Sequence, residues 1–184
     1  MNNNSTTKQN LMDAFWVLYK AKGLNKVSIK EVAQKAGYNR STFYEYFSST
    51  YEVLDCIESS LIASIDDLPP ISLSSGTFGK SPELFFALFE KEAEYYSVLL
   101  GEHGDYRFQC RLKNKVKDLI RAELCKLDDA ESRRLDYMLE YSISGLIGIM
   151  CHYLNDRNSL SRPELYGLLH SLMQEGLMKL LPEN

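Results

Sequence analysis

The residues best placed to do chemistry on a partner are crowded into one short stretch, Arg40-Ser41-Thr42-Phe43-Tyr44-Glu45-Tyr46. A guanidinium, two aliphatic hydroxyls, two phenols and a carboxylate lie within two helical turns. They form a dense set of donors and acceptors, with no nucleophile set beside a base. Such a set suits recognition of a nucleic-acid duplex. Arginine reads base edges, whereas hydroxyls and phenols hold phosphate oxygens and fix the register. Helical spacing sends Phe43 and Phe47 to one side as anchors. Arg40, Ser41, Thr42, Tyr44, Glu45 and Tyr46 are left on the outward side.

The flanking residues supply what is needed to present that surface. Ser28 and Glu31 have the spacing of a capping box, and Ile29, Val32, Ala33 and Ala36 follow at helical intervals. Gly37 is suited to end that helix and Asn39 to cap the next. Two short helices joined by a tight turn make a helix-turn-helix, whose second helix offers side chains to the major groove. An apolar helix from about Thr6 to Lys22, with Leu11, Ala14, Phe15, Leu18 and Tyr19 inward, completes a three-helix head. The charge is divided accordingly. The chain carries −4 in all, yet residues 8–47 carry +4 and the remainder −8. A basic head on an acidic body is what a DNA reader with a separate regulatory part should show. The plainer reading, aromatics of a small bundle core, accounts for Phe43 and Phe47 but not for Arg40, Tyr44 and Tyr46.

The run from Leu11 to Leu54 resembles the N-terminal domain of TetR-family transcriptional regulators. The resemblance is carried by Val32-Ala33, Ala36-Gly37 and Ser41-Thr42-Phe43-Tyr44-Glu45-Tyr46-Phe47. It implies a DNA-binding domain over residues 1–48 and a helical regulatory and dimerisation domain over 49–184. It also implies that Arg40, Ser41, Thr42 and Glu45 lie at or near the bases, and that Tyr44 and Tyr46 hold phosphates. Lys30 would sit near the backbone, with Asn39 at the cap of the reading helix. One position departs from the pattern: Thr50 stands where the family usually has a phosphate-binding lysine. Thr50 offers one hydrogen bond and no charge, which shifts the load to Lys22, Lys26 and Lys30.

The body reads as helices throughout. A helix from Ser49 to about Asp67 is broken by Pro69-Pro70, and residues 71–80 read as a loop. Further helices are expected from Ser81-Pro82, over 106–126, over 130–154 and over 162–181. No strand pattern appears, so the fold class is all-α: a helix-turn-helix head plus a helical bundle. Ile143 to Met150 is apolar nearly all round, which calls for cover on every side. The segment LLGEHGDYRFQCRLKNKV and the later EYSISGLIGIMCHYLND resemble a C-terminal domain of TetR-type regulators from low-GC Gram-positive bacteria. That resemblance implies a two-fold four-helix seam, for which Gly145, Gly148, Leu169, Leu172 and Met173 are the interface candidates. Phe85, Phe89, Tyr95, Tyr96, Phe108 and Tyr141 are candidates for an apolar effector pocket.

Composition narrows the alternatives. The chain has 184 residues, 45% hydrophobic and 25% charged, ordinary for a folded domain pair. The polar start, MNNNSTTKQN, lacks a signal-peptide core, and no apolar run reaches the ~20 residues of a membrane span. A cytoplasmic location is therefore expected. Cys56, Cys110, Cys125 and Cys151 are scattered, as are the three histidines, so no metal, cofactor or disulfide is expected. Nor is an enzyme expected. The expected partners are double-stranded DNA, a second copy of the chain, and a small-molecule or protein effector, with repression the expected outcome. The competing reading is a helical adaptor acting through a protein partner with weak DNA binding, which Thr50 and Glu45 keep open.

Overall fold

We describe the protein from a computed structural model, over residues 3–67, 89–101, 104–123, 129–156 and 160–175. It divides into two compact units, Met1–Ala63 and Ser64–Asn184. Every regular element among the described residues is helical. The expected loop over 71–80 and the expected helix start at Ser81-Pro82 lie outside the described residues.

The first unit holds α1 (Asn3–Lys22), α2 (Ile29–Lys35), α3 (Arg40–Tyr46) and α4 (Thr50–Ala63), with a 3-10 turn over Leu24–Lys26. α1 packs on α2 and α4, and α2 packs on α3. The buried face of α1 is Leu11, Ala14, Phe15, Trp16 and Tyr19. Phe15 stacks on Tyr19 with ring centres 5.7 Å apart. Trp16 is sealed in as well. Below the turn lie Val32 and Ala33 of α2, Phe43 and Phe47 at α3, and Val53, Leu54, Ile57 and Leu61 of α4.

Helices of seven residues are marginal alone, so their ends must be fixed. The Ser28 hydroxyl accepts from the Glu31 backbone N–H at 3.3 Å. In return the Glu31 carboxylate accepts from the Ser28 backbone N–H at 3.1 Å, closing the capping box. α2 ends in a Schellman motif, in which Tyr38 N–H donates to Ala33 C=O at 2.8 Å and Gly37 N–H to Gln34 C=O at 3.2 Å. Gly37 sits at φ 80°, where any side chain would be strained. At α4 the capping is shared between two serines. Ser49 accepts from Glu52 N–H, but the Glu52 carboxylate reaches past it to the backbone N–H and hydroxyl of Ser48.

The second unit holds a 3-10 turn over Ser64–Asp67, then α5 (Ala93–Leu99), α6 (Tyr106–Glu123), α7 (Asp129–Asn155) and α8 (Arg162–Glu175). α7 packs on both α5 and α6. α6 and α7 run antiparallel, in a register set by charge. Lys113 and Lys117 both pair with Glu140, and Arg121 pairs with Asp136 at 2.5 Å. Lys115 pairs with Asp66, tying the 3-10 turn to α6 at 2.5 Å. Within the protomer, Ile143–Met150 is covered on one side only. Ile143, Ile147 and Met150 are buried, whereas Ser144, Gly145 and Gly148 are exposed. The outward side of this stretch is lined by small residues, which read as apolar in sequence while carrying little side-chain area of their own.

The Lys22 ammonium, then the Ser28 hydroxyl and backbone, hold the Glu31 carboxyl down to about 2 from an ordinary 4.5. A depressed carboxylate pKa favours the folded state above the unfolded pKa, and the advantage disappears as pH falls through the folded value. Wild type is therefore expected to melt higher than Glu31→Gln at pH 7, with the gap closing between about pH 4.5 and 2. Paired thermal melts across that range check this, and a gap that widens on acidification would contradict it.

Candidate nucleic-acid interface

Asn39 organises the reading helix. Its Oδ1 accepts from the Thr42 backbone N–H at 2.8 Å and from the Ser41 hydroxyl at 2.5 Å, with the Thr42 hydroxyl at 3.1 Å. Asn39 is therefore the N-cap of α3, and any contact it makes with a duplex is left to its amide N–H groups. Phe43 and Phe47 are 0% and 2% exposed, with ring centres 5.7 Å apart. Tyr44 stands edge-on to Phe43 and is 53% exposed. Arg40, Ser41 and Glu45 are exposed beside it, while Thr42 and Tyr46 are half-buried. Neither Arg40 nor Glu45 has an ion-pair partner among the described residues.

The basic residues of the head divide by engagement. Lys22 forms an ion pair with Glu31 at 2.6 Å, which reduces the phosphate role expected of it. Lys26 and Lys30 are exposed. The Lys8 ammonium lies 5.5 Å from the Phe47 ring centre, a cation–π contact.

Thr50 requires a correction. It is 8% exposed, turned inward at the first residue of α4, and so cannot take the place of an exposed phosphate-binding lysine. Its neighbour Tyr51 is the exposed one, at 54%, and its hydroxyl donates to Asn25 Oδ1 at 3.2 Å. Tyr38 was also missed. Its hydroxyl accepts from Asn10 Nδ2 at 3.0 Å, tying the turn after α2 to α1. The only sequence signal for either was an aromatic placed beside a helix cap.

In the second unit, Phe89, Tyr96 and Phe108 come together fully buried, with Tyr96 4.5 Å from Phe89 and 6.1 Å from Phe108, ring centre to ring centre. The Tyr96 hydroxyl is buried with no hydrogen-bond partner among the described residues, and burial, then the nearby Glu92, pushes its pKa up. Tyr95 is half-buried, and Phe85 lies outside the described residues. Tyr141 does not belong with this cluster. It is 83% exposed, on the side of α7 opposite its buried stripe.

The interface candidates also separate. Leu169 is 0% exposed, part of its own protomer's core, and cannot meet a second copy. Leu172 is 50% and Leu168 44% exposed on α8. Gly145 and Gly148 are exposed, with nothing within 4 Å of an added Cβ. The Met173 side chain lies outside the described residues. Tyr137, Tyr141, Ser144, Gly145, Gly148 and His152 form one exposed stripe along α7, within roughly 100° of arc. Among the described residues no group of His, Cys, Asp and Glu could hold a metal ion, and no helix is long and apolar enough to cross a membrane.

Residues 11–56 match the family model of bacterial regulatory proteins of the tetR family, and residues 81–175 match that of a transcriptional regulator C-terminal region. No curated protein matches the chain significantly. Several solved structures share the fold, among them the following three. A TetR transcriptional regulator from Streptococcus agalactiae is 18% identical, covering 92% of this chain and 94% of its own, with a TM-score of 0.66. The dihydroxyacetone kinase operon activator DhaS is 19% identical, covering 96% and 98%, with a TM-score of 0.61. A tetR-family regulator from Streptomyces coelicolor is 20% identical, covering 95% and 83%, with a TM-score of 0.60.

Each phosphate contact made by a lysine contributes about 0.9 to the slope of log affinity against log salt. Lys30→Ala is expected to flatten that slope on duplex DNA by about 0.9. Thr50→Val should leave affinity within about twofold of wild type, because it removes no phosphate contact. Fluorescence titrations at several salt concentrations check both.

Proposed function

The chain belongs to the TetR family of bacterial transcriptional regulators, and we propose that it binds a palindromic operator as a homodimer, acting as an effector-responsive repressor. The observation that carries this reading is the outward face of α3. Arg40, Ser41, Tyr44 and Glu45 stand in solvent on a short helix whose Phe43 is buried beneath them. Phenol and guanidinium groups fixed in this way present donors to a duplex without first having to break internal contacts. Asn39, Thr42 and Tyr46 border the same face, with Lys30 on α2 as the nearby backbone contact.

A symmetric operator needs a symmetric reader, with its two reading helices one helical turn of DNA apart, about 34–36 Å. The second copy is proposed to cover the exposed stripe of α7 and the Leu168 and Leu172 side of α8. Gly145 and Gly148 would allow close helix approach, and Met173 continues the same helix. The effector is proposed to meet the cluster of Phe89, Tyr96 and Phe108, with Phe85 and Tyr95 at its margin, and to take a hydrogen bond from the Tyr96 hydroxyl. It resets DNA affinity only so far as it binds one arrangement of the dimer better than the other. Occupying an operator represses by exclusion. One structural relative is named an activator, so transcription from an operator-bearing promoter, with and without the protein, decides the sign.

Two measurements test the reading. Tyr44→Ala is expected to weaken operator binding roughly three- to tenfold on all sequences, whereas Arg40→Ala relaxes preference at particular bases by about 1–3 kcal/mol. If neither changes DNA retention at moderate salt, the head does not read DNA. Tyr141→Glu places a charge on the proposed seam without entering the protomer core. It is expected to convert a dimer into a folded monomer in sedimentation, and an unchanged mass would remove this face from the interface.

A further inference from the structure

The hydroxyl groups at the start of α3 are not equivalent donors. Asn39 Oδ1 has two lone pairs, and its two shortest contacts are the Thr42 backbone N–H at 2.8 Å and the Ser41 hydroxyl at 2.5 Å. Ser41 has one proton and gives it to Asn39, so outward its oxygen presents only lone pairs. Glu45, one turn further along the same line of the helix, is an ionised carboxylate and accepts only. These two acceptors lie about 6 Å apart along the helix axis. Arg40 and Tyr44 form a second line, about 100° round the helix, that carries donors: the guanidinium N–H groups and the phenol.

We propose that α3 reads DNA through two chemically opposite edges, an Arg40–Tyr44 donor edge and a Ser41–Glu45 acceptor edge, and that Glu45 makes cytosine a required base in each half-site. This rests on the DNA-binding reading above. In the major groove nearly everything a protein meets is an acceptor: purine N7, guanine O6, thymine O4 and the flanking phosphates. The exceptions are the amino groups of cytosine N4 and adenine N6. An acceptor edge held against that surface is repelled wherever it does not face an amino group. Every base pair offers one amino group, on a side of the groove set by which strand carries the cytosine or adenine, so the acceptor edge senses the orientation of a pair. A carboxylate pairs with cytosine N4 in particular. Arg40 and Glu45 are five residues apart, about 7.5 Å along the axis and 140° round it, and so cannot address the same pair. Arg40 selects a guanine elsewhere in the half-site.

Selection of bound fragments from random duplex DNA, using the full chain and its variants, tests this. Wild type is expected to enrich a half-site with one cytosine preferred about fivefold or more over the other bases. Glu45→Gln removes the charge and adds a donor, and glutamine pairs with adenine N6 and N7, so preference at that position is expected to move to adenine while the rest of the motif persists. Glu45→Ala is expected to lose preference there and to bind unrelated duplexes more tightly than wild type. Arg40→Ala should relax a different position. Retention of the same cytosine preference by both Glu45 variants overturns the proposal while leaving DNA binding intact. Failure of wild type to enrich any common sequence instead overturns the DNA-binding reading itself.

Discussion

The burial of Phe43 and Phe47 is the constraint on which the head depends. α3 has seven residues, too few to hold a helix by backbone hydrogen bonds alone. Fully burying one phenylalanine contributes about 1.5–3 kcal/mol, comparable with the cost of nucleating so short a helix. Once both rings point inward, helical geometry turns Ser41 and Glu45 outward and sets Tyr44 at the flank, while Arg40 reaches solvent from the first residue of the helix, on the anchors' own side. The recognition surface is thus a by-product of two anchors. The same anchors explain why Arg40, Tyr44 and Glu45 need not brace the helix: α3 is held by Phe43, Phe47 and the Asn39 cap, to which Ser41 alone of the outward groups is committed.

The surrounding head keeps that helix at a fixed angle by satisfying short-helix ends one by one. The Ser28–Glu31 box starts α2, the Schellman turn at Gly37 ends it, and Asn39 opens α3 two residues later. Lys22 reaches across from the end of α1 to the Glu31 carboxylate at 2.6 Å, joining the first helix to the second at the same cap. One carboxylate therefore serves the helix start and the inter-helix brace together. The cost falls on the electrostatics facing outward, because Lys22 is partly neutralised and the positive field of the head falls to Lys26, Lys30 and Arg40.

The features legible in the sequence were those set by neighbours three or four residues apart. The capping box, the glycine stop, the Asn39 cap and the Phe43/Phe47 anchors are all local, and the all-α class follows from the same periodicity. What was not legible depends on how a helix is docked. Thr50 sits in a first turn where a small change of docking angle decides whether a side chain points in or out, and it points in. The Lys22–Glu31 pair joins residues nine apart across a turn, a spacing no helical rule proposes. α7 and α8 carry apolar residues on more than one side, so periodicity alone could not tell that Leu169 is inward while Leu172 and Tyr141 are outward.

The body carries two energetic liabilities of different kinds, and their difference matters for regulation. The exposed stripe of α7, with Tyr137 at 81% and Tyr141 at 83% exposure, leaves apolar area in water. Covering it is favourable in proportion to area and indifferent to chemical detail, which suits a permanent partner. The Tyr96 hydroxyl is the opposite case: a buried polar atom with no hydrogen-bond partner among the described residues, a state that costs about 1–3 kcal/mol and is relieved only by an acceptor or donor at one point. Relief of that kind is specific and reversible. A molecule reaching Tyr96 with a matching polar group, as proposed for the effector, would recover part of that penalty.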